Sequence, residues 1–314
     1  MAEGLSERCA TTSLARDEPL LATASRVTRW LLVEQRGAWG PDAPLASGLD
    51  ADVAAALVAD ARRHRVRVLL VRRPGARGRG KARSDATRRV FLAHSGVERR
   101  WIEQVDVPAD HAPALLDIDL GLVAFPDPPN LGVPGPPSLH LVCTNGRHDP
   151  CCADLGRPVV RALAAAGAPD VWESSHVGGD RFAANIVCLP DGVYYGRVEP
   201  DEAARLVADH RSGLVDLARY RGRSSLPPLV QAAELYAREH LGERRIDGLT
   251  ALSTEPAPDG AVAVLFQQGD PAKPGATVEV VVRRDRAAEP VRLTCHAAEP
   301  AFPWIYRLVD VRAA

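Results

Sequence analysis

Residues 139–189 read LHLVCTNGRHDPCCADLGRPVVRALAAAGAPDVWESSHVGGDRFAANIVCL, and four of the six cysteines of the chain fall here: Cys143, Cys151, Cys152 and Cys188. His140, His148 and His176 lie in the same stretch, and His210 follows it. The apolar run LHLVC reads as a buried strand that ends on a cysteine. A polar loop with Asn145-Gly146 leads to Cys151-Cys152, which open an Ala-rich helical run reaching about Ala166. A second short strand, Asp170 to Ser175, delivers His176 into a Gly-Gly turn. A strand end, a helix start and a strand-to-loop turn are thereby brought together, at the edge where parallel α/β sheets bind ligands.

Length and composition set the frame. With 314 residues the chain has room for two or three domains with real cores. A formal net charge of -1 argues against a global nucleic-acid or membrane-surface binder. No apolar run reaches membrane-spanning length, and MAEGLSERCATTS lacks the apolar core of a secretory signal, so a cytoplasmic location is expected. Six cysteines in such a chain point to metal or redox chemistry rather than to a disulfide framework. Arginine far outnumbers lysine, which occurs only at Lys81 and Lys273.

Working outward, VTRWLLVE (27–34), a helix over Asp50–His64, the strand Val66–Val71, VFLAH and RRWIEQVDV suit a thioredoxin-like or related α/β layer, with a short helix near Pro113. Phe125–Pro137 is rich in Pro and Gly and marks a boundary. After the central stretch come a strand in GVYYGRV, a helix over Glu199–His210 and a linker over Arg221–Pro228. A helix from about Leu229 to Leu241 then precedes strands near Leu249–Thr254, Ala261–Gln267, Thr277–Arg283, Val291–Thr294 and Ile305–Val311. The expected organisation is an N-terminal thioredoxin-like domain over 1–135, a second thioredoxin-like domain over 136–224 carrying the site, and a small α+β domain over 225–314.

Several motifs compete for a chemical role. The basic segment with Arg72, Arg73, Arg77, Arg79, Lys81, Arg83, Arg88 and Arg89 contains Gly75-x4-Gly80-Lys81, but Ala82 stands where a P-loop needs Ser or Thr, and a strand follows. It reads as a solvated loop or a docking patch for an acidic partner. Adjacent Cys151-Cys152 lack the C-x-x-C spacing of a redox dithiol. Cys9 and Cys188 read as buried structural thiols, and Cys295-His296 as a strand end or a ligand pair. There remain Cys143-x8-Cys152 and His176-x3-Asp180. Thiolates at a strand end and a helix start suit soft metals, and Gly178-Gly179 allows close backbone approach. Spacing alone fits Zn²⁺ or an iron–sulfur cluster.

CTNGRHDPCC and SHVGGDRFAANIVCLPDGVYYGRV resemble the motifs of the sucrase/ferredoxin-like family, and TASRVTRWLLVEQRGAWG resembles its N-terminal region, so the likeness spans about residues 9–210. The resemblance implies a thioredoxin-like ferredoxin domain holding a [2Fe–2S] cluster, with two cysteines on one iron and two histidines on the other. Carried over by position, the ligands are Cys143, Cys152 and His176, with Asp180 where the family has its second histidine. A carboxylate there lowers the potential relative to a bis-histidine site; otherwise Asp180 orients a neighbour, and Cys151, Cys295 or His296 completes the set. No carboxylate pair in the sequence is assignable to the glycoside chemistry in the family's name. The expectation is thus a cytoplasmic electron carrier served by a reductase or acceptor protein, with neither nucleic acid nor membrane as partner. The alternative is a zinc-binding structural or regulatory protein using the same residues. Trp172, Tyr194 and Tyr195 are expected in the core near the site, and Arg181 either offsets charge there or forms a surface salt bridge.

Overall fold

Alternation in the first strand already divides two cores. In β1 (Arg29–Glu34), Leu31 and Val33 pack with Val53, Leu57 and Ala61 of α2 (Ala51–Arg63), whereas Trp30 and Leu32 enter a different cluster on the opposite face. The Asp50 carboxylate caps α2 by accepting from the N–H groups of Asp52 and Val53, and Arg62 and Arg63 complement the dipole at its other end. The computed structural model describes residues 8–75, 86–269 and 275–314. Arg77, Arg79, Lys81 and Arg83 of the basic segment lie outside the described residues, as does most of its P-loop-like run.

The architecture is mixed α/β. β1, β2 (Arg67–Arg72), β3 (Thr87–Ser95), β4 (Arg100–Pro108), β5 (Val133–Pro134), β6 (Leu139–Cys143), β7 (Val171–Ser174), β8 (Ile186–Leu189), β9 (Val193–Tyr195) and β10 (Tyr220–Arg223) form one ten-stranded sheet. Its order is β10-β9-β8-β6-β7-β2-β1-β3-β4-β5. β1 and β2 are parallel around α2, with β3 and β4 added antiparallel beyond β1. β6 and β7 are parallel around α3 (Pro150–Ala165), with β8 and β9 added antiparallel beyond β6. The two halves repeat one plan and meet edge to edge, where β2 and β7 pair antiparallel through Val71 with Ser174 and Arg72 with Glu173. The sheet is therefore continuous across the Pro/Gly-rich segment. One face carries a core shared by both halves, with Trp30, Phe91, Leu141, Trp172 and Tyr194. α3 and α4 (Ala203–Arg211) cover the other face of the second half.

Beyond β10, α5 (Pro228–Leu241) packs on an antiparallel meander of β11 (Leu249–Pro256), β12 (Val262–Gln268), β13 (Thr277–Arg286) and β14 (Trp304–Ala313). In β13, Val278, Val280 and Val282 face α5 in the alternation of a half-buried strand. α1 (Cys9–Ala15), at the start of the described chain, lies against the turn Asp180–Phe182.

Two expectations are corrected. Val291–Thr294 is not a strand: Val291 makes one isolated bridge to Ala301, and Pro290, Pro300 and Pro303 break any ladder around it. Arg221–Pro228 is not an exposed linker at its start, because Arg221 and Arg223 are buried in β10. Arg221 donates to neutral oxygens of Thr23, Gly178 and Asn185, whereas Arg223 faces Glu234 at 3.4 Å, and Glu234 also accepts from Tyr220 Oη at 2.6 Å and pairs with Arg238 at 2.9 Å.

The junction of the half-sheets holds a buried ion pair. Arg72 Nη2 lies 3.0 Å from Glu173 Oε2, which also accepts from Thr144 Oγ1 at 2.8 Å. Removing one member of such a pair is costlier than replacing both by apolar groups. Glu173→Leu is expected to lower unfolding free energy by about 3 kcal/mol, and Arg72→Met with Glu173→Leu by less than that single change, in denaturant titrations.

Candidate metal centre

Cys143 ends β6 and Cys152 lies in the first turn of α3, so their meeting depends on how closely the helix approaches the strand. Gly156 sets that approach: a Cβ there would stand 2.1 Å from the Cys143 carbonyl oxygen. The helix start is fixed by Asp149, whose carboxylate accepts from the Cys151 N–H at 2.8 Å, with Pro150 following in the first turn. On the other side, β7 ends at Ser174 and His176 follows. Gly178 and Gly179 then turn the chain with φ of +104° and +80°, placing Asp180 back at the site. Cβ atoms on these glycines would meet Ser25 Oγ at 2.4 Å and Arg221 Nη2 at 2.3 Å. Arg221 lies behind the turn, donating to Gly178 O at 3.0 Å and to Asn185 Oδ1 at 2.7 Å.

Donor atoms of Cys143, Cys152 and His176 lie within 4.8 Å of one another, and so do those of His148, His176 and Asp180. His176 belongs to both groups. Asp180 Oδ1 accepts from the Cys152 thiol at 3.1 Å and lies 2.8 Å from His176 Nδ1, while Oδ2 lies 3.6 Å from His148 Nε2. His176 Nδ1 is nevertheless buried without an aligned hydrogen bond. The rings of His148 and His176 stack, with centroids 3.7 Å apart and planes at 20°. His148 Nδ1 lies 3.0 Å from Pro41 O, which leaves Nε2 facing the site.

The charges arrange themselves around this set. A hydrogen bond with Cys152, supported by His176, holds the Cys143 thiol well below its usual value against burial, and the same bond pushes Cys152 up. Burial works against a charged His176, but Asp180 and Cys143 raise it to about 9. The Asp180 bond raises His148 against burial. Burial likewise opposes ionisation of Asp180, yet the two histidines hold it well below the usual carboxylate range. Soft thiolate character thus sits at the buried end and nitrogen and oxygen donors at the other. The chemistry this set supports is metal binding.

A family model for sucrase/ferredoxin-like proteins matches residues 20–222, more than half of the chain. The chain belongs to the sucrase/ferredoxin-like family. Among solved structures, that of a thioredoxin-like [2Fe–2S] ferredoxin from Aquifex aeolicus is 20% identical, with a TM-score of 0.25, over 29% of this chain and 94% of its own. No curated protein matches this sucrase/ferredoxin-like chain.

Cys143, Cys152, His176 and Asp180 are brought together; His148, which the His176-x3-Asp180 spacing does not include, joins them from the loop before α3. Its signal lay in CTNGRHDPCC itself, three residues before Cys151. Cys151 and Cys295 do not complete this set: they form another group with Cys9 and Asp149, and Cys9 is buried as expected. The neighbours of Cys9 are remote in sequence. His296 is exposed and belongs to neither group. Cys188 is buried 3.4 Å from His140 Nδ1, as a structural thiol. Arg181 pairs with Glu18 at 2.7 Å. Trp172 packs edge-on to Phe91, 5.3 Å between centroids.

Because the turn tolerates no Cβ, Gly179→Ala is expected to displace His176 and Asp180 and to lower bound metal several-fold. Gly37→Ala, where the nearest atom to a Cβ is 3.8 Å away, leaves it unchanged. Elemental analysis of the purified variants measures both.

Proposed function

We propose that this chain is an electron-transfer protein carrying a [2Fe–2S] cluster, with Cys143 and Cys152 on one iron and His176 and Asp180 on the other. The observation that carries the reading is the overlap of the two donor groups through His176. Thiols stand at one end of the five donors and imidazole and carboxylate at the other, and four of them fill the four terminal positions of two irons. They match a binuclear centre with unlike ends. The unaligned Nδ1 of His176, buried and facing the site, supports the same conclusion. When bound, the cluster supplies a one-electron couple.

The chain's own residues insulate one end and expose the other. Cys143 and Cys152 are buried, whereas the side chains of His176 and His148 are 24% and 32% exposed. A 450 Å³ cleft lined by Pro41, Pro44, Arg67, Asn145, His148 and His176 opens on that end. A reductase or acceptor docks there, guided by Arg67 in this cleft and Arg147 in the neighbouring one. The two half-sheets are two thioredoxin-like domains in this reading, supported by their repeated strand order. The setting is cytoplasmic; among the described residues no helix is long and apolar enough to cross a membrane.

His148 offers a second reading of the fourth ligand, since its Nε2 is turned toward Asp180 and away from the Pro41 carbonyl. Variants separate the two. If Asp180 ligates, Asp180→His raises the midpoint potential, because neutral imidazole replaces an anionic ligand, and His148→Ala retains iron. If His148 ligates, His148→Ala depletes iron and Asp180→Asn retains it.

The proposal itself is tested by anaerobic purification with iron and sulfide analysis and by electron paramagnetic resonance after dithionite reduction. A red-brown protein with equal iron and acid-labile sulfide is expected. Cys143→Ser and Cys152→Ser lose the visible absorption, and Cys188→Ser keeps it. A colourless wild type with zinc in place of iron at these residues overturns the reading.

A further inference from the structure

The second thiol group lies on the opposite side of the Cys151-Cys152 dipeptide. Cys9, at the start of α1, lies with its Sγ 3.6 Å from Cys151 Sγ and 3.5 Å from Cys295 Sγ, and the third edge, Cys151 to Cys295, is 3.4 Å. Cys9 and Cys151 are buried and Cys295 is half-buried. A disulfide needs sulfurs about 2.05 Å apart, so these are three thiols and not a bridged pair with a bystander. Tetrahedral zinc with Zn–S of about 2.3 Å sets sulfurs about 3.8 Å apart, a few tenths of an ångström beyond the triangle seen here. Asp149 adds an oxygen: Oδ2 is 3.6 Å from Cys9 Sγ, and the carboxylate is fully buried. The four donors all lie within 4.8 Å of one another.

Backbone groups support thiolates at Cys295 and Cys151. The Cys9 N–H donates to Cys295 Sγ at 3.3 Å, and Cys151 sits in the first turn of α3 where the helix dipole favours negative charge. Ala10 and Ala183 close an apolar wall around the sulfurs. The three cysteines come from three segments, 142, 144 and 286 residues apart in pairs.

We propose that Cys9, Cys151 and Cys295, with Asp149 as fourth donor, form a mononuclear site for a soft divalent cation, zinc above all, separate from the centre at Cys143 and Cys152. Equal edges of a single small triangle fit one ion and not a cluster, whose terminal sulfurs are spread over several irons. The site is structural, because four protein donors leave no open position. It ties α1 and the segment between β13 and β14 to the start of α3. α1 in turn packs on the turn Asp180–Phe182, so the ion clamps a cover over the turn that carries Asp180. Binding energy at a site assembled only by folding adds to folding stability.

The test counts metals on the full-length protein purified without a metal-affinity tag. About one zinc per chain is expected in wild type. Cys9→Ser and Cys295→Ser lose that zinc, melt lower and expose α1 to limited proteolysis, while keeping the iron and visible spectrum of the other centre. Cys143→Ser does the reverse, losing iron and keeping zinc. As a second measurement, cobalt added to chelator-treated Cys143→Ser protein gives the intense visible bands of tetrahedral thiolate cobalt, and Cys9→Ser in that background does not. Wild type with no zinc that takes up neither zinc nor cobalt overturns the proposal. So does uptake unchanged by Cys9→Ser, or alkylation mapping that finds two of the three cysteines disulfide-bonded. Iron missing and zinc present would instead defeat the electron-transfer reading and leave this site standing.

Discussion

The position of the whole site depends on one buried carboxylate. Asp149 is fully inaccessible, and a buried anion must have its oxygens satisfied. One oxygen takes the Cys151 N–H and starts α3; the other takes the Cys295 N–H at 2.6 Å, 146 residues along the chain. With the helix start fixed, the directions of its first side chains are fixed too. Consecutive helical residues diverge by about 100°, so Cys151 and Cys152 face different neighbours. Cys152 turns to Cys143 and Asp180, Cys151 to Cys9 and Cys295. The Cys-Cys pair is a partition between two donor sets.

Loops and the start of β2 in the first half-sheet buttress the centre carried by the second. Gly40 O accepts from Asn145 Nδ2 at 3.1 Å and Arg67 donates to His176 O at 2.9 Å, while Ser25 Oγ reaches Val177 O at 3.3 Å. Thr23 Oγ1 holds Arg221 Nε at 3.0 Å, and burial lowers that guanidinium to about 10, which leaves it charged at neutral pH. Its charge supports the carbonyl-lined turn at Gly178. The β2–β7 junction keeps these loops in register with the site, since it lies one strand away from β6.

Much of this was legible in the sequence, and the limits have physical causes. Strands and helices with clear period, such as RWLLVE, LHLVC and the Ala-rich α3, fall where the pattern puts them, and Cys143 and Cys152 were readable because a strand end and a helix start flank one short loop. His148 was hidden because a loop residue has no periodicity to announce its direction. Cys295 stood out as a ligand candidate beside His296, but its meeting with Cys9 and Cys151 was hidden because long-range contact leaves no local trace. Arg221 and Arg223 looked like linker residues; only the partners Asn185, Thr23 and Glu234 make their burial tolerable. Val291–Thr294 had strand composition but pairs only at Val291, through one bridge to Ala301.

The attachment of α1 sets an order of events at the ribosome. Thr23 N–H bonds to Arg221 O, and Cys9 meets Cys295 only after 286 further residues exist. At synthesis rates of roughly 5–20 residues per second, that interval is on the order of 15–60 s. The first half-sheet can close on its own strands in that time, and α1 can rest on the turn Asp180–Phe182 once that turn exists, more than a hundred residues before Cys295 is made. The Cys9 thiol meets Cys151 first, and Cys295 closes the triangle last.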